Sequence, residues 1–474
     1  MSNQKLPDIK QNFSEWYNEI VFKAELADHA PVRGCIVIRP YGWQLWENIK
    51  TVLDARIKAT GHQNCSFPLL IPESFIKREA KHIEGFSPEL AVVTHAGGKK
   101  LEEPLVVRPT SETIIHYMFA QWIKSWRDLP MKVNQWCSVV RWEMRARPFL
   151  RTSEFNWQEG HTAHATYEEA LLEAKMMMQE YVNLAQNYLA IPVIVGRKSE
   201  SEKFAGADLT YTYESFMQDG KALQMGTSHL LSQNFAVSFD MKFQNQAGEM
   251  AYPHLTSWCG ATTRLIGAII AVHGDQNGLV LPPKIAPVQV IIVPIAAKLG
   301  DAVWQKALEI KANLEKIGIS TQFDERDHLR PGAKFYEWEL KGVPLRLEIG
   351  PKDLEQNQVV IAERLNSTKE NLLIHDLVTA VPAKLQLMHD QMFAAAKGRL
   401  QAMWHKIDKL SEFGNQLEEN AGLYQTGWCL DGECEIKLKT YKATIRCLLD
   451  TGEFKNCFAC DKPSKSDVII GKAY

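Results

Sequence analysis

VVRWEMRARPFLRTSEFNWQEGHTAHA, residues 139–165, decides how this chain is read. An apolar strand-like run at Val139 and Val140 delivers Arg141 and Glu143. A short loop with Pro148 carries three more arginines, and a second strand-like run returns through Phe155, Trp157, Glu159 and His161. Strand side chains alternate between faces, so Arg141 and Glu143 share one face of the outgoing strand. The same rule puts Phe155, Trp157, Glu159 and His161 on one face of the returning strand. An isolated Arg-x-Glu is most often a weak exposed ion pair. Here the string also holds a second carboxylate, a histidine and two aromatics, which are costly to bury without partners. A ligand with phosphates at one end and a small cationic group at the other would supply those partners.

The rest of the chain sets the frame. At 474 residues, about three domains are expected. A composition of 45% hydrophobic and 23% charged residues is that of a globular protein with several cores. The formal charge of −2 gives no global basic field, so a nucleic-acid partner would have to be gripped locally. The first residues lack the apolar core of a signal peptide, and the apolar run Leu265–Val272 is too short to span a bilayer. The expectation is a cytoplasmic protein that does not enter membranes. Nine cysteines are an odd number, and Cys35, Cys65, Cys137 and Cys259 are scattered, which argues against a disulfide framework.

Three regions follow from the pattern. Residues 1–282 mix strand-like and helix-like runs. Helical periodicity is clear over 113–126 and 167–189, where the Met176–Met178 cluster reads as core filler. Short strands are expected at 105–107, 193–195 and 236–239. This predicts an α+β domain with a mainly antiparallel sheet. After the break at Leu281-Pro282-Pro283-Lys284, strands at 288–295, 319–323, 344–349 and 359–362 alternate with helices at 301–317 and 332–341. That rhythm predicts an α/β domain over 287–382 with a largely parallel sheet. A long helix is expected over 385–413, within a small α+β domain at 383–474.

Motifs narrow the chemistry. There is no G-x-x-x-x-G-K-[ST] and no strand-linked G-x-G-x-x-G. His82-Ile83-Glu84-Gly85 is a faint match to the HIGH signature of class I aminoacyl-tRNA synthetases, but it has no KMSKS partner. Arg141-Trp142-Glu143 followed by Phe149-Leu150-Arg151 resembles motif 2 of class II aminoacyl-tRNA synthetases. Gly260-Ala261-Thr262-Thr263-Arg264-Leu265-Ile266-Gly267 resembles motif 3, and residues 61–68, with Pro68, look like motif 1. Further stretches narrow the resemblance to the prolyl-tRNA synthetase family. They are Arg108-Pro109-Thr110-Ser111-Glu112, FLRTSEFNWQEGHTAHA, Glu202–Ala207, Gln224–His229 and Lys341-Gly342-Val343-Pro344. The match runs along nearly the whole chain and fits the archaeal/eukaryote-like branch, which has a C-terminal extension. Cys259, where close relatives commonly carry glycine, is one departure.

The resemblance implies a proline–tRNA ligase. Such an enzyme uses ATP with Mg²⁺ to make prolyl-adenylate and passes proline to tRNA(Pro), working as a homodimer. Arg141 and Arg264 are the implied catalytic residues. The ATP site would comprise Arg141, Glu143, Arg151, Thr152, Gln224, Thr227, Thr262 and Arg264. Proline would lie among Thr110, Glu112, Arg141, Trp157, Glu159, His161, Phe204, His229 and Trp258. Its ring needs flat apolar walls, for which Trp157, Phe204 and Trp258 are suited, and its ammonium needs acceptors such as Glu112 and Thr110. Only 108 residues lie between Arg151 and Gly260, too few for an inserted editing domain.

The 287–382 domain resembles the anticodon-binding domain of class IIa synthetases, with Arg326, Glu339, Lys341, Lys352 and Asp353 as candidate base readers. In the tail, Cys429-x₄-Cys434 and Cys457-x₂-Cys460 are separated by 22 residues, a spacing suited to structural Zn²⁺ held by four thiolates. The family's extension often carries such a zinc. The terminal Tyr474 matches a family ending in which the last tyrosine packs back toward the body. Two alternatives stay open on the residues alone: a synthetase for another small amino acid, and a silent paralogue that binds tRNA or proline as a sensor.

Overall fold

The computed structural model describes residues 6–78, 90–143 and 145–474, and the His82–Gly85 tetrapeptide lies outside them. The two strands of the deciding stretch are Met131–Val140 and Glu154–His164, paired antiparallel. Val139 lies opposite Phe155, Cys137 opposite Trp157, Gln135 opposite Glu159 and Val133 opposite His161. Directly opposed residues share a face, so the row Phe155, Trp157, Glu159, His161 stands together on one surface of the sheet. The outgoing strand stops at Val140. Arg141 and Glu143 sit just beyond it, and the Arg141 backbone N–H donates to the Ser153 carbonyl at 2.8 Å.

Four further antiparallel strands continue the sheet from Glu154–His164: His254–Thr262, Ala222–Ser232, Leu209–Phe216 and Ile194–Arg197. The helix Tyr167–Asn187 covers the opposite face, with Met177, Tyr181 and Leu184 buried against it. Its start is a capping box: Thr166 Oγ1 accepts from the Glu169 N–H, and the Glu169 carboxylate accepts from the Thr166 N–H. The apolar run 265–272 forms the buried helix Arg264–His273, which leaves directly from the end of the sheet. The predicted mainly antiparallel α+β architecture is thus the one present.

Some local expectations change. Residues 236–239 are not a strand; Asn234–Ser238 is a short helix that buries Phe235 and Ala236. A run this short has no usable periodicity, and packing decides its state. The helix expected to reach residue 126 ends at Trp122.

The second region forms a five-stranded sheet ordered Thr321–Phe323, Val290–Pro294, Leu345–Ile349, Gln358–Glu363, Lys369–Leu373. Its first two pairings are parallel and its last two antiparallel, so the sheet is mixed rather than largely parallel. The reason is the link after Ile349. A five-residue helix, Pro351–Glu355, is too short for a crossover, so the chain returns alongside. The long helix starts earlier than expected, at Leu377, takes Pro382 into its second turn and ends at Ala402; a separate helix spans Leu410–Glu419.

The tail does not stand apart. Trp404–Lys406, Leu423–Trp428, Ser466–Gly471 and Thr444–Leu449 extend the first sheet at one edge, joined where Leu448 pairs with Arg197. With Gln63–Asn64 beside Met131–Val140 at the other edge, it has eleven strands among the described residues. Among the described residues, no helix is long and apolar enough to cross a membrane.

Candidate active site

One cavity of about 450 Å³ opens on the face that carries Phe155, Trp157, Glu159 and His161. Every residue expected to bind ATP or proline lines it: Thr110, Glu112, Arg141, Glu143, Arg151, Thr152, Trp157, Glu159, His161, Phe204, Gln224, Thr227, His229, Trp258, Thr262 and Arg264. They come from segments spread over more than 150 positions of the chain, so only the fold brings them together.

The cations are fixed by backbone and aromatic contacts. Arg141 Nε donates to the Pro109 carbonyl at 3.0 Å, and its guanidinium lies 5.6 Å from the Phe155 ring and 5.4 Å from the Trp157 ring. Arg264 donates through Nε to the Leu150 carbonyl and through Nη1 to the Gln224 carbonyl. Its guanidinium lies 5.3 Å from the Tyr474 ring, and that of Arg151 lies 5.7 Å from the same ring. The Tyr474 hydroxyl donates to the Leu150 carbonyl at 3.1 Å, so the last tyrosine does pack back against the site. Glu143 takes the Arg145 N–H on Oε1 and faces Arg151 Nε at 3.8 Å through Oε2.

The other end of the cavity is built around carboxylates. Thr110 Oγ1 donates to Glu112 Oε2, and both residues are buried. Glu159 is also buried. Ser111 Oγ and Gln135 Nε2 bond its Oε1 at 2.5 and 2.6 Å, and His161 Nε2 lies 3.2 Å from its Oε2. Burial raises the Glu159 pKa, but the bonds from His161, Ser111 and Gln135 outweigh it and leave the carboxyl below its ordinary value. His229 is held between Thr210 and Thr227 at 3.0 Å on either ring nitrogen, and the Phe204 ring lies tilted 4.6 Å from it. Burial, with His161 adding to it, lowers His229 to about 3, so the ring is neutral at physiological pH. His161 Nδ1 and Ser257 Oγ are buried with no hydrogen-bond partner among the described residues.

Trp258 requires a correction. Its position borders the cavity, but its indole points to the opposite face. There the ring lies over Gly160, edge-on to His62 at 5.0 Å and against Tyr181 at 6.3 Å. The strand pairing explains this: Trp258 is opposite Gly160, while Ser257 is opposite His161 and Cys259 opposite Thr227. Ser257 and Cys259 therefore face the cavity, and Trp258 provides no wall for a ligand there. Sequence reasoning did not place Ser257, Lys198 and Thr210 in the lining. For Ser257, strand parity from Trp258 was the signal that could have found it. Burial, reinforced by Glu159, keeps the Cys259 thiol well above its usual range.

The tail cysteines do converge. The sulfurs of Cys429, Cys434, Cys457 and Cys460 all lie within 4.8 Å of one another, with Cys429 at 3.8 Å from Cys434 and 3.7 Å from Cys460. The edge of a tetrahedron with 2.3 Å metal–sulfur bonds is about 3.8 Å, so this donor set fits a Cys₄ zinc. The Lys462 backbone N–H draws the Cys460 thiol down to about 7, while burial pushes the Cys429 and Cys434 thiols up, so thiolates at those two need a bound cation.

A second cavity, about 190 Å³, lies in the five-stranded domain, lined in part by Trp338, Glu339, Arg346, Arg364 and Lys369. Of the five candidate base readers only Glu339 borders it. Arg326 is paired with Asp324 and Glu337, Lys341 with Glu25 and Glu337, and Asp353 accepts the Gly350 N–H. Lys352 is exposed. Arg346 and Lys369 carried no local signal, because they read as ordinary polar positions on strands.

An antiparallel sheet bearing paired arginines at one end of a cavity and buried carboxylates at the other, followed by a small mixed-sheet domain, is the arrangement of a class II aminoacyl-tRNA synthetase. Comparison with known proteins agrees. Residues 94–273 match the tRNA synthetase class II core domain (G, H, P, S and T), 289–384 the anticodon binding domain, and 410–474 the prolyl-tRNA synthetase C-terminal domain. A proline–tRNA ligase 2 of Clostridioides difficile is 50% identical over 474 residues, covering 99% of this chain and 98% of that protein. A proline–tRNA ligase of Acetoanaerobium sticklandii is 50% identical over 472 residues, with the same coverage. The crystal structure of Cryptosporidium parvum prolyl-tRNA synthetase with halofuginone and AMPPNP superimposes with a TM-score of 0.94 at 40% identity, covering 99% of both chains. The same enzyme with L-proline and AMP gives 0.92 at 39% identity, again covering 99% of both chains. The chain belongs to the prolyl-tRNA synthetase family.

Proposed function

We propose that this chain activates L-proline with ATP to prolyl-adenylate and then transfers proline to the 3′ end of tRNA(Pro). The observation that carries this reading is the cavity itself. It holds fixed guanidinium groups at one end and an acceptor-rich, aromatic-walled pocket at the other. In activation, a carboxylate oxygen of proline attacks the α-phosphorus of ATP, the bond to the bridging oxygen breaks, and pyrophosphate leaves. Arg141 stabilises the charge that grows on the α-phosphate, and Arg151 and Arg264 hold the β/γ end. Mg²⁺ enters with ATP as part of the substrate. Glu143 accepts from the adenine amino group, while Gln224, Thr227, Thr152 and Thr262 border the nucleotide. Positioning and preorganised charge suffice, so no covalent enzyme intermediate is needed.

For proline, Glu112 and Thr110 take the ammonium hydrogens. Trp157 and Phe204 flank the ring. His161 orients Glu159, and His229 stays neutral beside the ring. In the second step the terminal ribose hydroxyl of tRNA attacks the prolyl carbonyl carbon and AMP leaves. The second cavity is our candidate for reading anticodon bases: Arg346 and Lys369, both ion-paired with Glu348, line it together with Glu339, and these groups supply the donors and acceptors that unpaired guanines match.

We place the domain limits at 1–282, 287–382 and 383–474. We further propose that no editing domain is inserted between motifs 2 and 3. The 108 intervening residues are occupied by core elements, from the strand Glu154–His164 through the helix Tyr167–Asn187 and into the strand His254–Thr262. Structural zinc at the four cysteines, a cytoplasmic location and a homodimer complete the reading. For the dimer, Leu69, Leu70, Tyr117 and Trp122 form exposed apolar side chains around motif 1 and the helix behind it.

Proline-dependent ATP–pyrophosphate exchange tests the proposal. Exchange with proline and none with glycine or serine supports it. A chain that binds proline or tRNA yet exchanges nothing would be the sensor alternative.

A further inference from the structure

The cavity's proline end is closed by a turn whose order depends on the tail. Residues 198–204 leave the strand Ile194–Arg197, and three lining residues, Lys198, Glu202 and Phe204, belong to this turn. Within it the N–H groups of Glu202 and Lys203 donate to the Ser199 carbonyl, and the Phe204 N–H donates to Thr210 Oγ1. Ser199 and Lys198 are therefore its anchor points. Both are tied to the tail. Ser199 Oγ donates to Glu435 Oε1 at 2.7 Å, and Glu435 lies on the short helix Gly432–Ile436 next to Cys434. Lys198 Nζ donates to the Arg446 carbonyl at 2.9 Å and to Glu214 Oε1 at 2.8 Å. Arg446 returns two bonds to Glu214 Oε2, from Nη2 at 2.9 Å and Nε at 3.2 Å, and Thr212 Oγ1 adds one to Glu214 Oε1. Lys198, Glu214 and Arg446 are all more than nine-tenths buried, so each depends on the other two for its charge partners.

We propose that Glu435 and Arg446 are positioning residues for proline: the tail clamps the 198–204 turn at two points and thereby sets Phe204 against His229. This rests on reading the cavity as the proline and ATP site. Glu214 is also the strand partner of Gln224, whose carbonyl holds Arg264, whereas the Ser199–Glu435 arm reaches the cavity only through the turn that carries Glu202 and Phe204. Loss of that arm should thus appear in proline binding before it appears in ATP binding.

The experiment is pyrophosphate exchange by the full chain at varied proline and varied ATP, for wild type, Ser199→Ala, Glu435→Ala, Glu435→Gln and Arg446→Met. We expect Ser199→Ala and Glu435→Ala to raise KM for proline about tenfold, with KM for ATP within about twofold of wild type. Glu435→Gln keeps an acceptor oxygen for Ser199 and should restore near-normal values. The Ser199→Ala/Glu435→Ala double variant should be no worse than either alone. Unchanged KM for proline in Ser199→Ala and Glu435→Ala, or equal rises for proline and ATP, would overturn the proposal. Glu435 is only half-buried, so its variants remain informative even if Arg446→Met does not fold. A wild type without proline-dependent exchange would overturn the site reading as well; a normal wild type with unaffected variants would overturn this inference alone.

Discussion

Gly160 and Trp258 are partners on adjacent strands, and the indole occupies the space where a Cβ at 160 would stand. The contact lies on the helix-covered face of the sheet, away from the cavity. Gly160→Ala should cost about 1–3 kcal/mol through overpacking. Trp258→Phe should likewise lower the thermal midpoint while leaving KM for proline within about twofold of wild type. Thermal denaturation beside exchange kinetics checks both; a large rise in KM with unchanged stability would return Trp258 to the binding site.

Arg141→Ala and Arg264→Ala should each lose on the order of 3 kcal/mol of transition-state stabilisation, about a hundredfold in exchange rate. Circular dichroism and the thermal midpoint should change little for Arg141→Ala, whose bond to the Pro109 carbonyl and contacts with the Phe155 and Trp157 rings lie at the cavity. Near-normal exchange in Arg141→Ala would remove it from the catalytic role.

Stability should fall on mild acidification. Burial holds His229 and His273 at about 3, and His164 and His389 at about 4, against an ordinary 6.5. The unfolded chain protonates these rings as pH drops through about 6.5, while the folded chain keeps them neutral. The unfolded state then binds more protons, so stability rises with pH across this window and is lost as pH falls from about 6.5 toward 4. The urea midpoint should be lower at pH 5.5 than at pH 7.5, and His229→Gln should narrow the gap.

Purified protein should contain one zinc per chain by elemental analysis. Stripping it with a chelator should lower the thermal midpoint, and Cys434→Ser should abolish the retained metal. Metal-free protein of unchanged stability would rule out a structural zinc.

Alanine lacks the proline ring, and each missing methylene forfeits only about 1–3 kcal/mol of discrimination. Alanine should therefore support measurable exchange at high concentration. Ala-tRNA added to the pure chain should remain intact; rapid deacylation would contradict the absence of an editing site.

Much of the site was legible because it rests on short-range rules. Alternation over 155–161 fixed which side chains share the cavity face, and the order of the three motifs fixed what stood at its two ends. Trp258 reads as a ring wall from its aromatic character alone; alternation puts its indole opposite Ser257 and Cys259, but which of the two faces bears the cavity is set by the pairing with Gly160 and His161. Lys369–Leu373 escaped because an exposed edge strand rich in polar residues has no apolar alternation to detect. The Asn234–Ser238 helix escaped because five apolar-leaning residues fit either period. Lys198, Glu214 and Arg446 could not have been joined from sequence, since 232 positions separate the last two and nothing local marks them as partners.

The shared sheet has a consequence for synthesis. Ile194–Arg197 acquires its outer neighbour only when Thr444–Leu449 is available. While a ribosome is still reading the codons in between, the nascent enzyme displays a raw strand border of the kind that recruits foreign strands. Shielding of that border, or brisk elongation through the 246 residues between Arg197 and Thr444, would keep it from such capture.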